Sequence, residues 1–328
     1  MAPAKRRKKQ STIFPQLYLG VDGGGTKTQV ALLNESRTIV AEGSAGPSNP
    51  LRVGLETAVA NIIKAINSAA DSAGVSRGDI AAAVLGLAGV RRSDLKESVR
   101  RRFIELLKIH QTTVLTDADI ALYATTFGKP GIVVIAGTGS VCLGINSKGE
   151  RAISGGWGPL AGDEGGGVGI AQAALHAVAK ASDGRGKPTK LSQSASEYFR
   201  AAGPENLIVA IYSPQVDNMR IAGFAKYVVE AAQDGDTVAQ EIIEEAGYEL
   251  GIAASAVIAK LGLEKERLPI GCVGSVFNAG EIIARPMLEV IRRTAKRAFL
   301  TEPKMSPAQA AAIMALEKSL AENNGAAK

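Results

Sequence analysis

The feature that most limits what this chain can fold into is a repeated strand–turn–strand unit. Residues 17–33 read as an apolar run, a turn of Gly23, Gly24 and Gly25, and a second apolar run opening at Thr28. Residues 132–145 read the same way: a β-branched run, the turn Gly137-Thr138-Gly139-Ser140, and another apolar run. The copies stand about 113 residues apart, one in each half, and predict two domains of related topology. Around them, strand-like segments at 38–41, 80–87, 113–115 and 268–273 alternate with helical periodicity. Helices are expected at 51–73, 93–108 (capped by Ser93 or Asp94), 118–127, 170–181, 194–202, 219–233 and 237–261, from about 280, and at 306–320. Such alternation predicts an α/β protein whose mostly parallel sheets are covered on both faces. The expected division is a basic tail at 1–15, a first domain at 16–127 and a second at 128–305, with the helix at 306–320 packing back on the first.

Composition removes several function classes. The net charge of +6 looks like a nucleic-acid signal, but Lys5, Arg6, Arg7, Lys8 and Lys9 lie together in the N-terminal tail. Without those five, 33 basic residues balance 32 acidic ones, so the body is close to neutral. Only 4% of residues are aromatic, too few for a base-stacking surface. No nucleic-acid partner is therefore expected. No apolar stretch is long enough to cross a membrane, and no apolar segment follows the basic tail, so a cytoplasmic location is expected. The two cysteines, Cys142 and Cys272, each sit inside an apolar run and read as reduced core residues. Two histidines, His110 and His176, give no basis for a catalytic triad or a zinc site.

A tight glycine turn between strands lets successive backbone N–H groups face one concavity, which binds anions. In the first turn Gly23, Gly24 and Gly25 leave room for phosphate, Thr26 and Thr28 offer hydroxyls, and Lys27 offers charge. Asp22, at the strand end, is placed to hold Mg²⁺ through its water shell. The turn is not a Walker A loop, because Thr26 stands where that motif needs glycine. Either loop alone is equally a hairpin turn; the matched pair favours phosphate binding. Asp117 follows Thr116 at a strand end, where it serves either as a general base or as a helix cap. Residues 155–167, with seven glycines around Trp157, Asp163 and Glu164, are costly to order unless they fold around a ligand.

Taken together, the segments 21–28, 116–118, 136–140, 155–158, 162–165 and 272–275 resemble, in order and spacing, the N-acetylglucosamine kinases among the BadF/BadG/BcrA/BcrD ATPases. The resemblance spans about 16–320 and implies two ribonuclease-H-like (actin-like ATPase) domains with ATP and sugar in the cleft between them. It implies phosphate binding by Gly23–Thr28 and by Gly137, Thr138, Gly139 and Ser140, with Gly274 and Ser275 on the adenosine side. It makes Asp117 the base that deprotonates the sugar 6-hydroxyl, and gives Asn49, Asp117, Gly139, Gly156, Asp163 and Glu164 to the sugar. The implied cofactors are ATP and Mg²⁺, the substrate an amino sugar, first of all N-acetylglucosamine, and the assembly a homodimer. Where relatives carry bulkier residues, this chain has Gly166-Gly-Val-Gly169, which leaves glucosamine and N-acetylmuramic acid open as acceptors. An ATPase or activator subunit of the same family, and a sugar sensor without turnover, are the alternatives.

Overall fold

The structure, a computed structural model, describes residues 16–326; the basic tail lies outside the described residues. The described residues divide into two compact units, residues 16–120 with 307–326, and residues 121–306. The sequence-based boundary at 127/128 follows the end of a helix that the unit boundary divides.

The first unit runs β1 (Leu17–Gly23), β2 (Thr28–Asn34), β3 (Ile39–Ala45), α1 (Pro50–Val53), α2 (Leu55–Ala73), β4 (Ile80–Leu87), α3 (Ser93–Leu107) and β5 (Gln111–Thr116). The next helix, α4 (Asp117–Thr126), leads out of it. The strands form one sheet in the order β3-β2-β1-β4-β5, antiparallel for the hairpin strands and parallel from β1 to β5. Its core joins Leu19, Val21 and Leu85 of the strands to Ile62 and Ile66 of α2 and Phe103 of α3. Burial of that apolar surface supplies most of the driving force. The helix expected at 51–73 is interrupted: Gly54, at φ 78°, ends α1 and starts α2. Arg92, not Ser93 or Asp94, occupies the cap position of α3 and makes no side-chain cap bond.

The second unit runs β6 (Gly131–Ala136), β7 (Ser140–Ile145), β8 (Arg151–Gly155), α5 (Gly167–Ser182), α6 (Leu191–Phe199), α7 (Leu207–Ile211), α8 (Asn218–Gly223), α9 (Ala225–Gln233) and α10 (Thr237–Leu261). It continues through β9 (Pro269–Val273), α11 (Glu281–Thr294) and β10 (Phe299–Thr301). Its sheet order is β10-β9-β6-β7-β8. Numbered within each unit, the two strand orders are identical, so the duplication covers five strands rather than the two visible in the motif. Sequence reading missed β8 and β10. Residues 219–233 form two helices rather than one, broken between Gly223 and Ala225.

Two helices each follow the last strand of one unit and pack against strands of the other. Thr125 and Thr126 of α4 lie against Gly271 of β9 and Gly131 of β6. The last helix, α12 (Pro307–Ala326), packs on β1 and β4 of the first unit. There the backbones nearly touch: a Cβ on Gly20 would lie 2.0 Å from the Ala308 carbonyl oxygen. The alanine-rich face of α12, with Ala308, Ala311, Ala312 and Ala315 buried, permits that approach.

Candidate active site

In the first unit the β1–β2 hairpin carries residues 23–28 in a turn closed by the Gly24 N–H donating to the Lys27 carbonyl (2.9 Å). The loop is held from below. The Gly24 carbonyl accepts from the Ser48 and Asn49 N–H groups (3.1 and 3.2 Å), and the Gly23 carbonyl from Ala88 (2.8 Å). Gly23 admits no side chain, because a Cβ would lie 2.2 Å from Ser48 Oγ. Thr28 is fully buried; its hydroxyl donates to the Gly46 carbonyl (2.6 Å) and meets Ser48 Oγ at 2.8 Å. Its work is to anchor the hairpin, while Thr26 and Lys27 are exposed at the turn. Arg52, absent from the sequence-based site, donates from Nη1 to the Gly25 carbonyl (3.1 Å). Asn49 caps α1 by accepting from the Leu51 N–H (3.0 Å), with Gly89 packed against its amide.

Asp22 ends β1 opposite Gly86 of β4, and Asp117 stands one residue past the end of β5. Burial, then the neighbouring Asp117 charge, push the Asp22 carboxyl up to about 6, against the pull of Lys27. Asp117 is raised by burial and further by the Asp119 charge, and restrained by the Ala118 N–H. The choice between helix cap and free carboxylate has a structural answer. The Thr116 hydroxyl accepts from the Asp119 N–H (3.2 Å), and the Asp119 carboxylate accepts from the Thr116 N–H (2.9 Å). That reciprocal pair is a capping box. It satisfies the start of α4, while the Asp117 carboxylate accepts from the Ala118 N–H at 2.9 Å.

In the second unit the turn 137–140 is welded to the start of α5. Gly167 and Val168 donate their N–H groups to the Gly137 and Thr138 carbonyls (2.8 and 3.0 Å), and the Ser140 hydroxyl donates to the Glu164 carbonyl (2.6 Å). Ser140 is buried by this bond, whereas Thr138 is exposed. Asp163, at φ 62°, accepts from the Gly158 N–H (3.1 Å) and lies directly over Gly139. Burial raises its carboxyl, and the N–H groups of Gly158, Trp157 and Gly156 hold it back. Asp163 thus ties the glycine-rich segment to the turn at 156–158 and packs over Gly139. Glu164 is exposed beside it, as are Trp157 and Leu160.

A cavity of about 440 Å³ opens next to this turn, bounded by Gly137, Thr138, Lys226, Gln233, Ser275 and Asn278. Its size is that of a small-molecule pocket. Gly274 makes the wall possible: at φ 115° it lies against the Ala136 backbone, where a Cβ would be 2.2 Å from the carbonyl oxygen. Sequence reading missed the α9 contribution. Lys226, Glu230 and Gln233 recur at helical spacing, a signal identical to that of a solvated helix face.

The structure therefore brings Asp22, Gly23, Gly24, Gly25, Thr26, Lys27, Asn49 and Asp117 into the first unit. Gly137, Thr138, Gly139, Ser140, Gly156, Asp163, Glu164, Gly274 and Ser275 belong to the second. The cysteines take no part: Cys142 and Cys272 both pair with Val134 from opposite sides, two strand spacings (about 10 Å) apart, too far for a disulfide. Burial pushes both thiols up to about 12.

Over 260 residues the chain is 33% identical to an N-acetylmuramic acid/N-acetylglucosamine kinase from Clostridium acetobutylicum, covering 79% of this chain and 85% of the relative. It is 32% identical over 315 residues to an N-acetyl-D-glucosamine kinase from Dictyostelium discoideum, covering 92% and 98%. In fold it is similar to the crystal structure of a putative N-acetylglucosamine kinase from Chromobacterium violaceum, with a TM-score of 0.72 at 24% identity over 92% of this chain and 99% of that one. The two five-stranded sheets are those of paired actin-like ATPase domains. Residues 19–315 match the BadF/BadG/BcrA/BcrD ATPase family, and the chain belongs to it.

Proposed function

We propose that this protein is an ATP-dependent sugar kinase that phosphorylates the 6-hydroxyl of an amino sugar, N-acetylglucosamine first. The observation that carries the reading is Asp117: a carboxylate at a strand end, released from capping by Thr116 and Asp119 and raised by burial, beside a glycine turn of the same unit. A partly desolvated carboxylate is a stronger base than one in water, as removal of a hydroxyl proton requires. Backbone N–H groups of the turns at 23–27 and 137–140 hold the phosphates, and Thr26, Lys27 and Thr138 add side-chain donors. The cavity beside Gly274 and Ser275 takes the adenosine. Asn49, Gly156 and Glu164 contact the sugar, and Asp163 holds Gly139 and the turn at 156–158 in register for it.

The Asp22 carboxyl, raised by burial and then by the neighbouring Asp117 charge with Lys27 opposing, also fits a hard divalent cation. No group of three metal-binding side chains exists among the described residues. That suits Mg²⁺ held by Asp22 through water rather than a closed protein cage. When bound, Mg²⁺ would neutralise charge on the transferring phosphoryl group. None of the helices is long and apolar enough to cross a membrane, among the described residues. A cytoplasmic homodimer is part of the proposal, tested by light scattering.

Purified protein supplied with ATP, Mg²⁺ and one sugar at a time is expected to consume ATP with N-acetylglucosamine. ATP turnover that ignores every sugar would overturn the kinase reading in favour of an energy-coupling ATPase. N-acetylmuramic acid belongs in the same screen, because the relative from Clostridium acetobutylicum is named for both sugars.

A further inference from the structure

One wall of the cavity beside Gly137 and Thr138 is a helix that the core barely holds. Met219, Ala222 and Gly223 of α8 line that cavity. None of the six residues of α8 is buried, and Ile221 packs on the core from a half-buried position. An element with so little buried surface opens locally at small cost in free energy. Its placement nonetheless matters to the phosphate turn. A Cβ on Gly167, where α5 begins and the turn is attached, would lie 3.3 Å from the Ala222 carbonyl oxygen.

The contacts that place α8 come from α6. The Tyr198 hydroxyl donates to the Arg220 carbonyl at 2.8 Å, and Arg220 Nη2 donates to the Tyr198 carbonyl. The Arg220 guanidinium also covers the Tyr198 ring, with Cζ 4.0 Å from the centroid, a cation–π contact. Gly223 completes the seat, because a Cβ there would collide with Tyr198 Oη. The two ends of this pair differ in rigidity. The Tyr198 ring stands edge-on to Phe199 (centroids 4.8 Å apart) and beside Phe224 (5.7 Å), and both phenylalanines are buried. Arg220 rides on the helix without buried residues.

We propose that Tyr198 and Arg220 are positioning residues for nucleotide binding, a latch that fixes α8 where Met219, Ala222 and Gly223 wall the cavity. The inference rests on the reading of that cavity as the nucleotide site. Tyr198 and Arg220 are not among its lining residues, so both act through α8. Unlatched, the wall is in place for only part of the time, and apparent affinity falls by that fraction. Once nucleotide is bound the wall is the same, so turnover at saturation does not change.

Tyr198→Phe keeps the ring and removes the bond to the Arg220 carbonyl; Arg220→Met removes the guanidinium and keeps an unbranched chain. Calorimetric titration with ADP, without sugar, should show Kd raised about three- to tenfold in Tyr198→Phe and about tenfold or more in Arg220→Met. Hydrogen exchange at residues 218–223 of the free protein should quicken in both variants, with residues 170–178 unchanged. With the acceptor that supports turnover, the ATP KM should rise by a similar factor while kcat stays that of the unaltered protein. ADP affinity retained in both variants overturns the latch, as does unchanged exchange at 218–223 or a lowered kcat with KM unmoved. An unaltered protein that binds no ADP overturns the nucleotide reading of the cavity, and the latch with it.

Discussion

Two carboxylates on one edge of a sheet have different duties because their neighbours differ. Asp117 is at the first position of α4, yet the caps come from Thr116 and Asp119. Replacing Asp117 with Asn keeps shape and the Ala118 bond but removes the proposed base. Turnover should fall by about 10²–10⁴-fold with nucleotide affinity nearly unchanged, as stopped-time assays and calorimetry would show. Asp22 makes a prediction about stability. Its carboxyl is raised to about 6 in the folded chain from an ordinary 3.8, so the folded state binds the proton more tightly than the unfolded state does. That contribution is fully present below pH 4 and is lost as pH rises through 6. Asp22→Asn should therefore be the more stable protein at pH 7.5 without metal, by about 1–3 kcal/mol, and the difference should vanish below pH 4. Denaturant midpoints measured across that range check both the size and the sign.

Among the elements, the close approaches are set by glycine and alanine. Gly20 of β1 lies against the α12 backbone near Ala308 and Ala312. Gly247 and Gly251 of α10 do the same against Ile283 and Met287 of α11. Gly20→Val would force α12 off the sheet and should cost about 3 kcal/mol or more, read as a lowered denaturant midpoint. Gly169, inside α5 with only the Asp163 carbonyl oxygen within 4 Å (3.8 Å), is the contrasting case. There alanine should be neutral or stabilising by up to about 1 kcal/mol, through helix propensity. The site elements follow the same logic: α5 begins where the loop carbonyls of Gly137 and Thr138 accept its first free N–H groups.

For the whole molecule, both units carry the same five-strand order, and each is completed by a helix that follows the other's last strand: α4 after β5, α12 after β10. Chain connectivity thus crosses between the units twice. The cavity proposed for the nucleotide, by contrast, is lined wholly by the second unit. ADP at a hundredfold excess over its Kd should stabilise the protein by about 2.7 kcal/mol. Slowed hydrogen exchange should appear at residues 137–140, 226–233 and 275–278. Protection absent from 226–233 would remove α9 from the nucleotide site.

Much of this was legible in one dimension, because the turn glycines are dictated locally. The glycine turns after β1 and β6 recur at matching places in the two halves, and that recurrence shows in sequence as a pattern with a period. The fold class followed from it, as did the proposal that both turns hold phosphate; the density of glycine around two acids pointed only to a ligand, and the sugar came from the family resemblance. What tertiary structure decided is the meaning of residues whose chemistry permits two roles. Thr28 and Ser140 read as phosphate ligands, yet burial gives both hydroxyls to backbone carbonyls. Asp117 reads equally as cap or base, and the Thr116–Asp119 pair is what takes over the cap. Lys226 and Gln233 carry no mark that separates a cavity wall from a wet helix face. The short strands β8 and β10 lie at sheet edges, where a few residues become strands only because a neighbour supplies the hydrogen bonds. Local geometry is written in local sequence; which polar group is buried, paired or left facing a cavity depends on neighbours far along the chain.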